Sequence, residues 1–268
     1  NGTPDANFGT SGQTTLNFST ATASSYVFDL LPEANGKIAV LGQNFTTRFL
    51  IGMARLSSTG ALDTGFSTDG VLNFSFATGQ NYATRLFKRN DGKYVATGYA
   101  NTATTNYKVC TARLETNGDP DLTYDADGFT SHGANSSYTS CLDAVMLADE
   151  SVLLTGEAYF TNIYHPVVYK ITTAGTLDAT FGTGGFGRIN TGTNSGFGRA
   201  ILFSVDKILL AGAVYTSSSN ANIGLVAATQ INGAPSTGFG QNGQVLLTKA
   251  TANNRVQHLD KTLDGKYF

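Results

Sequence analysis

Apolar and polar residues alternate over short stretches of the chain, and Gly, Asn and Asp interrupt the alternation at regular intervals. In the first part of the sequence these stretches cover about residues 12–18, 26–31, 37–42 and 50–57. No stretch sustains the 3.6-residue apolar period of an amphipathic helix. Short alternating segments separated by turn residues predict an all-β chain built from antiparallel strands.

The four-strand unit recurs along the chain. One marker is an Asp-x-x-aromatic segment that ends on glycine, and a second is a turn such as Asn35-Gly36-Lys37 before an apolar strand. In four copies that strand is expected to close on a glycine. The aromatic residues of the first marker are Phe8, Phe66, Tyr124, Phe181 and Phe239, with Ser236 in place of the Asp in the last copy, and the closing glycines are Gly42, Gly98, Gly156 and Gly212. This spacing predicts repeat units at about 3–60, 61–118, 119–175, 176–233 and, in part, 234–268.

A sheet of four antiparallel strands cannot bury both of its faces alone. Radial stacking of several such sheets buries one against the next, which is the architecture of a β-propeller. We therefore expect residues 1–268 to form a single β-propeller of four full repeats and a partial fifth. Because both ends of the chain cut through repeat units, we expect a segment of a longer protein.

The repeated markers resemble those of the delta-60 repeat family of bacterial β-propeller proteins. They are Asp-x-x-Phe-Gly-x-x-Gly, Asp-Gly-Lys before an apolar strand, Ala-Arg-Leu at 54–56 and 112–114, and Gly-x-Leu-Asp. The resemblance extends over essentially the whole chain, with departures such as Ser67, Asp125 and Ser151. It implies an exported or surface protein and carries over no catalytic residues.

Composition narrows the function classes. Charged residues make up 13% of the chain and the net charge is -2, so we expect no nucleic-acid partner. The apolar runs are of strand length, which predicts no membrane span. A surface rich in Thr, Ser and Asn favours an extracellular or cell-surface location. Cys110 and Cys141 are expected as buried free thiols, with a single bridge as the alternative.

Metal and cofactor signals are weak. The segment 119–128 carries several aspartates, but it lacks the spacing and the final Glu of a calcium-binding loop. Aspartates in turns commonly accept hydrogen bonds from their own backbone instead. We therefore expect no cofactor, with calcium as the alternative at this segment.

The connections between strands vary most at one end of each unit, which is where repeat proteins usually bind ligands. The third copy carries several aromatic and polar side chains there, which suit a glycan or protein ligand. The alternative is that its tyrosines pack across a hairpin. The candidate ligand-binding residues are Tyr159, Phe160, Asn162, Tyr164 and His165.

A second set of candidates alternates in charge from copy to copy. Residues of opposite sign at equivalent positions of neighbouring blades are expected to pair between blades. The alternative is a charged site that lines the channel. This inter-blade charge column comprises Asp29, Arg85, Asp143, Arg199 and His258.

These features predict a noncatalytic adhesion module that recognises a glycan or protein on a cell surface, and not an enzyme. Further repeats or an oligomer are expected to complete the ring. One alternative is a glycan-processing hydrolase or lyase that uses channel-mouth carboxylates such as Asp29 and Asp143. Another is a purely structural segment of a surface assembly.

Overall fold

The computed structural model describes residues 2–19, 24–101, 106–133, 136–216, 220–248, 253–262 and 266. These residues form four antiparallel sheets of four strands each, which confirms the all-β prediction. None of them belongs to a helix long and apolar enough to cross a membrane. The strands are β1 (Ser24–Pro32), β2 (Ile38–Phe45), β3 (Phe49–Leu56), β4 (Val71–Phe74), β5 (Asn81–Lys88), β6 (Tyr94–Asn101), β7 (Tyr107–Leu114), β8 (Phe129–His132), β9 (Asp143–Met146), β10 (Val152–Phe160), β11 (Ile163–Ile171), β12 (Phe186–Arg188), β13 (Ser195–Phe203), β14 (Lys207–Thr216), β15 (Ala221–Gln230) and β16 (Gln244–Leu247).

The boundaries of the sheets are shifted along the chain relative to those of the predicted repeat units. Each sheet takes three strands from one copy of the repeat and its fourth strand from the next copy. In the first sheet β4 pairs with β3 through Ile51 opposite Phe74 and Ala54 opposite Val71. The stretch 12–18, which we expected as the first strand of the first sheet, contains no strand. The physical reason is that the turn after β3 folds the chain back onto β3, so β4 completes the preceding sheet.

The chain divides into two compact units. Unit 1 comprises Asn1–Thr104 and Cys110–Ser131, and it holds the first sheet and most of the second. Unit 2 comprises Thr105–Val109 and His132–Phe268, and it holds the third and fourth sheets. Residues 253–262, which belong to the expected fifth copy, contain no strand. A fifth sheet is therefore not confirmed, and Asp264-Gly265, the fifth copy of the second marker, lies outside the described residues.

Each unit has its own apolar core between two facing sheets. In unit 1, Leu41 and Met53 of the first sheet pack with Leu86 of the second, and all three are buried. In unit 2, Leu153 of the third sheet packs with Leu210 of the fourth. Complete burial of a Leu or Met side chain contributes about 1.5–3 kcal/mol to folding. These cores hold the two sheets of each unit face to face and so fix the side chains between them.

The recurring glycine lies within a strand and does not end it. The strands continue beyond it, and β10 continues beyond Gly156 to Phe160. A Cβ atom on Gly156 would lie 2.1 Å from the carbonyl oxygen of Ser140, and one on Gly98 would lie 1.9 Å from that of Tyr82. The backbone of the neighbouring segment passes so close that no side chain fits. The glycine therefore serves close backbone approach, which corrects the expectation that it closes the strand.

The Asp of the first marker is the centre of an ion-pair cluster in unit 1. Asp121 Oδ2 lies 2.5 Å from Arg113 Nε and 2.8 Å from Lys93 Nζ. The Arg113 guanidinium lies over the Tyr124 ring, 4.7 Å from its centroid, and the Thr123 backbone N–H donates to Asp121 at 3.0 Å. Burial alone would raise the pKa of Asp121, but the hydrogen bonds from Lys93 and Thr123 hold it well below its usual value.

The Asp of the first marker also forms ion pairs in other copies, with two cationic partners at Asp63 and one at Asp178. Asp63 pairs with Lys37 at 2.7 Å and with Arg55 at 2.6 Å, and the hydrogen bond from Lys37 lowers its pKa to about 2. In unit 2, Asp178 pairs with Lys170 at 2.9 Å. These aspartates are structural. Among the described residues, no group of three or more His, Cys, Asp or Glu side chains is placed to hold a metal ion.

Candidate functional site

The segment that carries the predicted ligand-binding residues forms a tight hairpin between β10 and β11. The turn consists of Thr161 and Asn162, whose φ angles are +46° and +70°. Tyr159 pairs with Tyr164 across the hairpin, and their ring centroids lie 5.0 Å apart. The Tyr159 hydroxyl donates to the Asn162 side-chain oxygen at 3.3 Å. The tyrosines therefore pack across a hairpin, and the segment is not an open loop.

The five predicted residues do not share one surface, because neighbouring strand residues point to opposite faces. Phe160 and His165 lie on the face opposite to the two tyrosines. Phe160 stacks on Phe186 at 5.9 Å, and His165 is buried with Nδ1 3.1 Å from the Thr191 hydroxyl. Burial lowers the pKa of His165, and the positive charge of Arg188 lowers it further. A buried neutral imidazole in this position serves packing.

Sequence reasoning missed the most unusual carboxylate, Glu157, two residues before Tyr159 on the same face of β10. Its backbone is fixed by Ser140, whose N–H donates to the Glu157 carbonyl at 2.9 Å. Its carboxyl group, in contrast, has no hydrogen-bond or ion-pair partner in the described part of the chain. Burial raises the pKa of Glu157 to about 7, and the nearby charge of Arg199 offsets this only in part. Glu157 therefore exchanges a proton near neutral pH.

Tyrosines surround the open side of Glu157 in unit 2. The rings of Tyr107 and Tyr138 lie 5.2 Å apart, and Tyr138 meets Tyr164 edge to face at 5.4 Å. With Tyr159 they form a tyrosine row, in which each ring is partly exposed. Burial raises the pKa of Tyr164, and the negative charge of Glu157 raises it further, so carboxyl and phenol are electrostatic neighbours. The row and Glu157 form one partly exposed surface.

The fourth sheet closes the other side of this surface. The Tyr164 backbone N–H donates to the Ser195 hydroxyl at 3.3 Å, which docks the hairpin against the start of β13. A Cβ atom on Gly198 would lie 2.4 Å from the Thr155 hydroxyl oxygen, so glycine permits this close approach. The next residue, Arg199, is unpaired in a β-bulge between Gly198 and Ala200. The Arg199 guanidinium and the Glu157 carboxyl group are electrostatic neighbours.

The predicted charge column has different contacts in the two units. In unit 1, Asp29 lies 3.7 Å from Arg85 and accepts the Leu86 backbone N–H at 2.8 Å. In unit 2, Asp143 accepts the Ile201 backbone N–H at 3.0 Å. No ion pair within 4.0 Å joins Asp143 to Arg199 among the described residues. His258 is exposed to solvent.

The sequence contains a signal that would have singled out Glu157. The position directly after the recurring glycine is occupied by Gln43, Tyr99, Glu157 and Ala213 in the four copies. Only one of these four residues is ionised in water at neutral pH, and it lies inside a strand.

Open clefts elsewhere are less informative: one of about 730 Å³, lined by residues such as Asn190 and Gln244, contains no titratable side chain.

Comparison with known proteins gives one family match, to a short segment. Residues 89–124 match a domain of unknown function (DUF5122) described as a beta-propeller. No curated protein matches the chain. The match supports a β-propeller family for this segment. It does not distinguish the delta-60 repeat family from other β-propeller families.

Several solved structures resemble the chain. They include an alpha-L-arabinofuranosidase from Lactobacillus brevis (12% identity, 90% of this chain and 80% of that chain, TM-score 0.43). A putative exo-beta-1,3-galactanase from Bifidobacterium bifidum has 14% identity over 88% of this chain and 76% of that one, with a TM-score of 0.44. An endo-arabinase from Bacteroides thetaiotaomicron has 10% identity over 90% of this chain and 86% of that one, with a TM-score of 0.46.

Each of these proteins is named as an enzyme, which contradicts the noncatalytic adhesion module that we expected from the sequence. We therefore withdraw that expectation. With TM-scores below 0.5, no substrate or reaction carries over from these proteins to this chain. The enzyme alternative has to be argued from the side chains of this chain alone.

Proposed function

We propose that this chain is a β-propeller enzyme that cleaves glycosidic bonds, with Glu157 as its acid-base group. The four antiparallel sheets and the beta-propeller family match support a propeller in which each sheet is a blade. The repeated markers support its assignment to the delta-60 type. The single observation that carries the function is the Glu157 carboxyl group, which is partly exposed and unpartnered among the described residues.

An unpartnered carboxyl group inside a sheet is costly to stability, so its presence favours a chemical role. Asp63 and Asp178, two structural aspartates of the repeat, contrast with it, because each has a cationic partner and a lowered pKa. A carboxyl group with a pKa of about 7 is partly protonated at neutral pH and can donate or accept a proton there. These are the properties of a general acid-base catalyst.

The reaction that suits this group is hydrolysis. Protonated Glu157 donates its proton to the glycosidic oxygen while the bond from that oxygen to the anomeric carbon breaks. A water molecule then forms the new bond to the anomeric carbon, and the Glu157 carboxylate accepts the proton that this water releases. The products are two shorter glycans, and Glu157 returns to its starting state.

Sugars are the substrate class that the surroundings favour. Aromatic rings present flat apolar faces on which sugar rings stack, and the tyrosine row adds hydroxyl groups for polar contacts. The row lies at the end of the sheets that carries the variable connections. Glycans are met mainly outside the cell, which agrees with the extracellular location that the composition predicts.

Asp29 and Asp143 do not suit the role that the sequence suggested for them. Both accept a backbone N–H from the next sheet of their own unit, Leu86 for Asp29 and Ile201 for Asp143. The same contact in both units indicates that these two carboxylates align neighbouring sheets. We therefore assign the chemistry to Glu157, which has no counterpart in unit 1.

The test is the release of reducing ends from a panel of arabinan, galactan, xylan and polygalacturonate. The Glu157→Gln variant keeps the side-chain shape but cannot donate a proton. We expect it to lose about 10²- to 10⁴-fold in rate, the usual contribution of a general acid. The wild-type rate should fall as the pH rises above about 7, because the carboxyl group then loses its proton.

Glu150→Gln is the matched control. Glu150 precedes the same strand, β10, at its opposite end, so the substitution changes the same functional group away from the tyrosine row. Its rate should equal that of the wild type. A Glu157→Gln variant that is as active as the wild type would show that Glu157 is not the acid-base group.

A further inference from the structure

The Arg199 guanidinium is the second unusual group of this surface. Its Nε atom is buried and has no hydrogen-bond partner. In the described part of the chain, Arg199 makes no ion pair, and its guanidinium lies over the Phe197 ring, 5.7 Å from the centroid. A guanidinium that is partly removed from water without a counterion is unfavourable unless a ligand supplies the counterion.

Arg55, Arg85 and Arg113 differ from Arg199, because each makes an ion pair with an aspartate. Arg55 and Arg113 lie within 2.6 Å of their aspartates, and Arg85 lies 3.7 Å from Asp29. Arg199 occupies the same column as Arg85, but it makes no ion pair within 4.0 Å among the described residues. The structure therefore leaves the positive charge of Arg199 available beside Glu157.

Glu157 does not neutralise this charge. No ion pair within 4.0 Å joins Glu157 to Arg199 among the described residues, and protonated Glu157 carries no charge. A guanidinium is planar and presents paired N–H donors that match a carboxylate in a bidentate geometry. The surface thus offers stacking rings, a proton donor and an anion-binding donor pair to one ligand.

We propose that Arg199 binds the carboxylate of an acidic sugar, so that the glycan this protein recognises contains uronic acid residues. The inference rests on the proposed function for the class of ligand, and adds to it the charge of the sugar. One sugar ring stacks against the tyrosine row while its carboxylate pairs with the Arg199 guanidinium. The bond to be cleaved then faces Glu157.

The test compares two trisaccharides, trigalacturonate and galactotriose, which differ in their carboxylates. Binding is measured by calorimetry on the Glu157→Gln variant, which does not cleave the ligand. We expect trigalacturonate to bind about ten- to hundredfold more tightly than galactotriose, as charge-assisted hydrogen bonds allow. Adding Arg199→Gln should abolish this preference, and adding Arg199→Lys should retain part of it, since lysine keeps the charge without the paired donors.

Arg188→Gln is the control for loss of positive charge. Arg188 lies over the Phe160 ring on the opposite face of the hairpin, 5.3 Å from its centroid, so this substitution should leave the preference unchanged. A thermal melt of each variant establishes that it is folded. Equal affinity for the two trisaccharides, or a preference that survives Arg199→Gln, would overturn the inference.

The two proposals fail in different ways. If the protein cleaves neutral glycans at a rate that Arg199→Gln does not change, the inference of an acidic sugar is wrong. The proposal that Glu157 is the catalyst is then unaffected. Binding of trigalacturonate through Arg199, without cleavage of any glycan by the wild type, would support the acidic ligand and remove the proposed reaction.

Discussion

Two carboxylates on two sheets show how this protein distributes its charges. Asp121 in unit 1 is buried, pairs with Arg113 and Lys93, and has a lowered pKa. Glu157 in unit 2 is partly exposed, has no hydrogen-bond or ion-pair partner in the described part of the chain, and has a raised pKa. Asp121 belongs to a marker that recurs along the chain, whereas Glu157 stands at a position where no other copy has a carboxylate.

The difference teaches that repetition marks the carboxylates that hold the fold together. A carboxylate that recurs from sheet to sheet has a cationic partner within its own sheet, as Asp63, Asp121 and Asp178 do. A carboxylate that occurs once is free to be left unsatisfied, at a local cost in stability. In this chain the singular residue is therefore the better guide to chemistry.

The largest effect is expected from Asp121→Asn. The substitution leaves the Arg113 guanidinium buried without its carboxylate, and breaking a buried pair in this way costs about 3–5 kcal/mol in the free energy of unfolding. Because the folded-state pKa of Asp121 is lowered, its contribution is complete above the ordinary value of 3.8 and is lost as the pH falls below it. Urea unfolding of wild type and variant at several pH values measures both the loss in the free energy of unfolding and its dependence on pH.

The control for Asp121 is Asp127→Asn in the same turn. Asp127 is exposed, and its Oδ1 accepts the Phe129 backbone N–H at 2.8 Å, a bond that the Asn side chain also makes. The free energy of unfolding should change by no more than about 0.5 kcal/mol. Equal effects of the two substitutions would show that the ion-pair cluster adds nothing to stability.

A smaller effect of opposite sign is expected from Glu157→Gln. Since the folded-state pKa is raised, the folded protein binds more protons than the unfolded chain between pH 4.5 and about 7, and the free energy of unfolding falls as the pH rises through this window. The Gln variant has no titratable group at this position, so its free energy of unfolding does not fall in this way. At pH 8 it should be more stable than the wild type by about 1–3 kcal/mol, with the upper figure reduced for the partial exposure of the side chain.

Urea unfolding at pH 4 and pH 8 tests this prediction. The two proteins should differ little at pH 4, where Glu157 is protonated in both the folded and the unfolded state. A variant that is less stable than the wild type at pH 8 would mean that the carboxylate has a stabilising partner, which would also contradict its role as an acid-base group.

The sequence predicted what depends on neighbouring residues. The turn glycine that ends the first marker has a positive φ in every copy, +89° at Gly70 and Gly128. The aromatic residue of that marker is buried at Phe66, Tyr124 and Phe181. Both follow from local turn geometry and from the apolar character of the ring, so the pattern alone predicts them.

The sequence did not predict what depends on pairing between distant segments. The phase of the sheets follows from β4 returning to β3, and alternation of apolar residues predicts a strand without saying which sheet it joins. The lack of a partner for Glu157 likewise depends on β13. Gly198 and the bulge at Arg199 determine which groups of β13 lie next to β10. A comparison of the four copies position by position would have singled out Glu157, but not the absence of its partner.

The smallest effect is expected from Asp178→Asn in unit 2, which repeats the Asp121 test where the cluster is reduced. Asp178 pairs with Lys170 at 2.9 Å, and Ser151 stands where other copies carry the marker lysine. Both members of this pair are partly exposed, so solvent stabilises the lysine that the substitution leaves behind. We expect a loss of about 1 kcal/mol in urea unfolding, near the upper end for a pair of this exposure. The Asn side chain still accepts the Thr180 backbone N–H, so a loss as large as that of Asp121→Asn would mean that the number of cationic partners does not set the contribution of this aspartate.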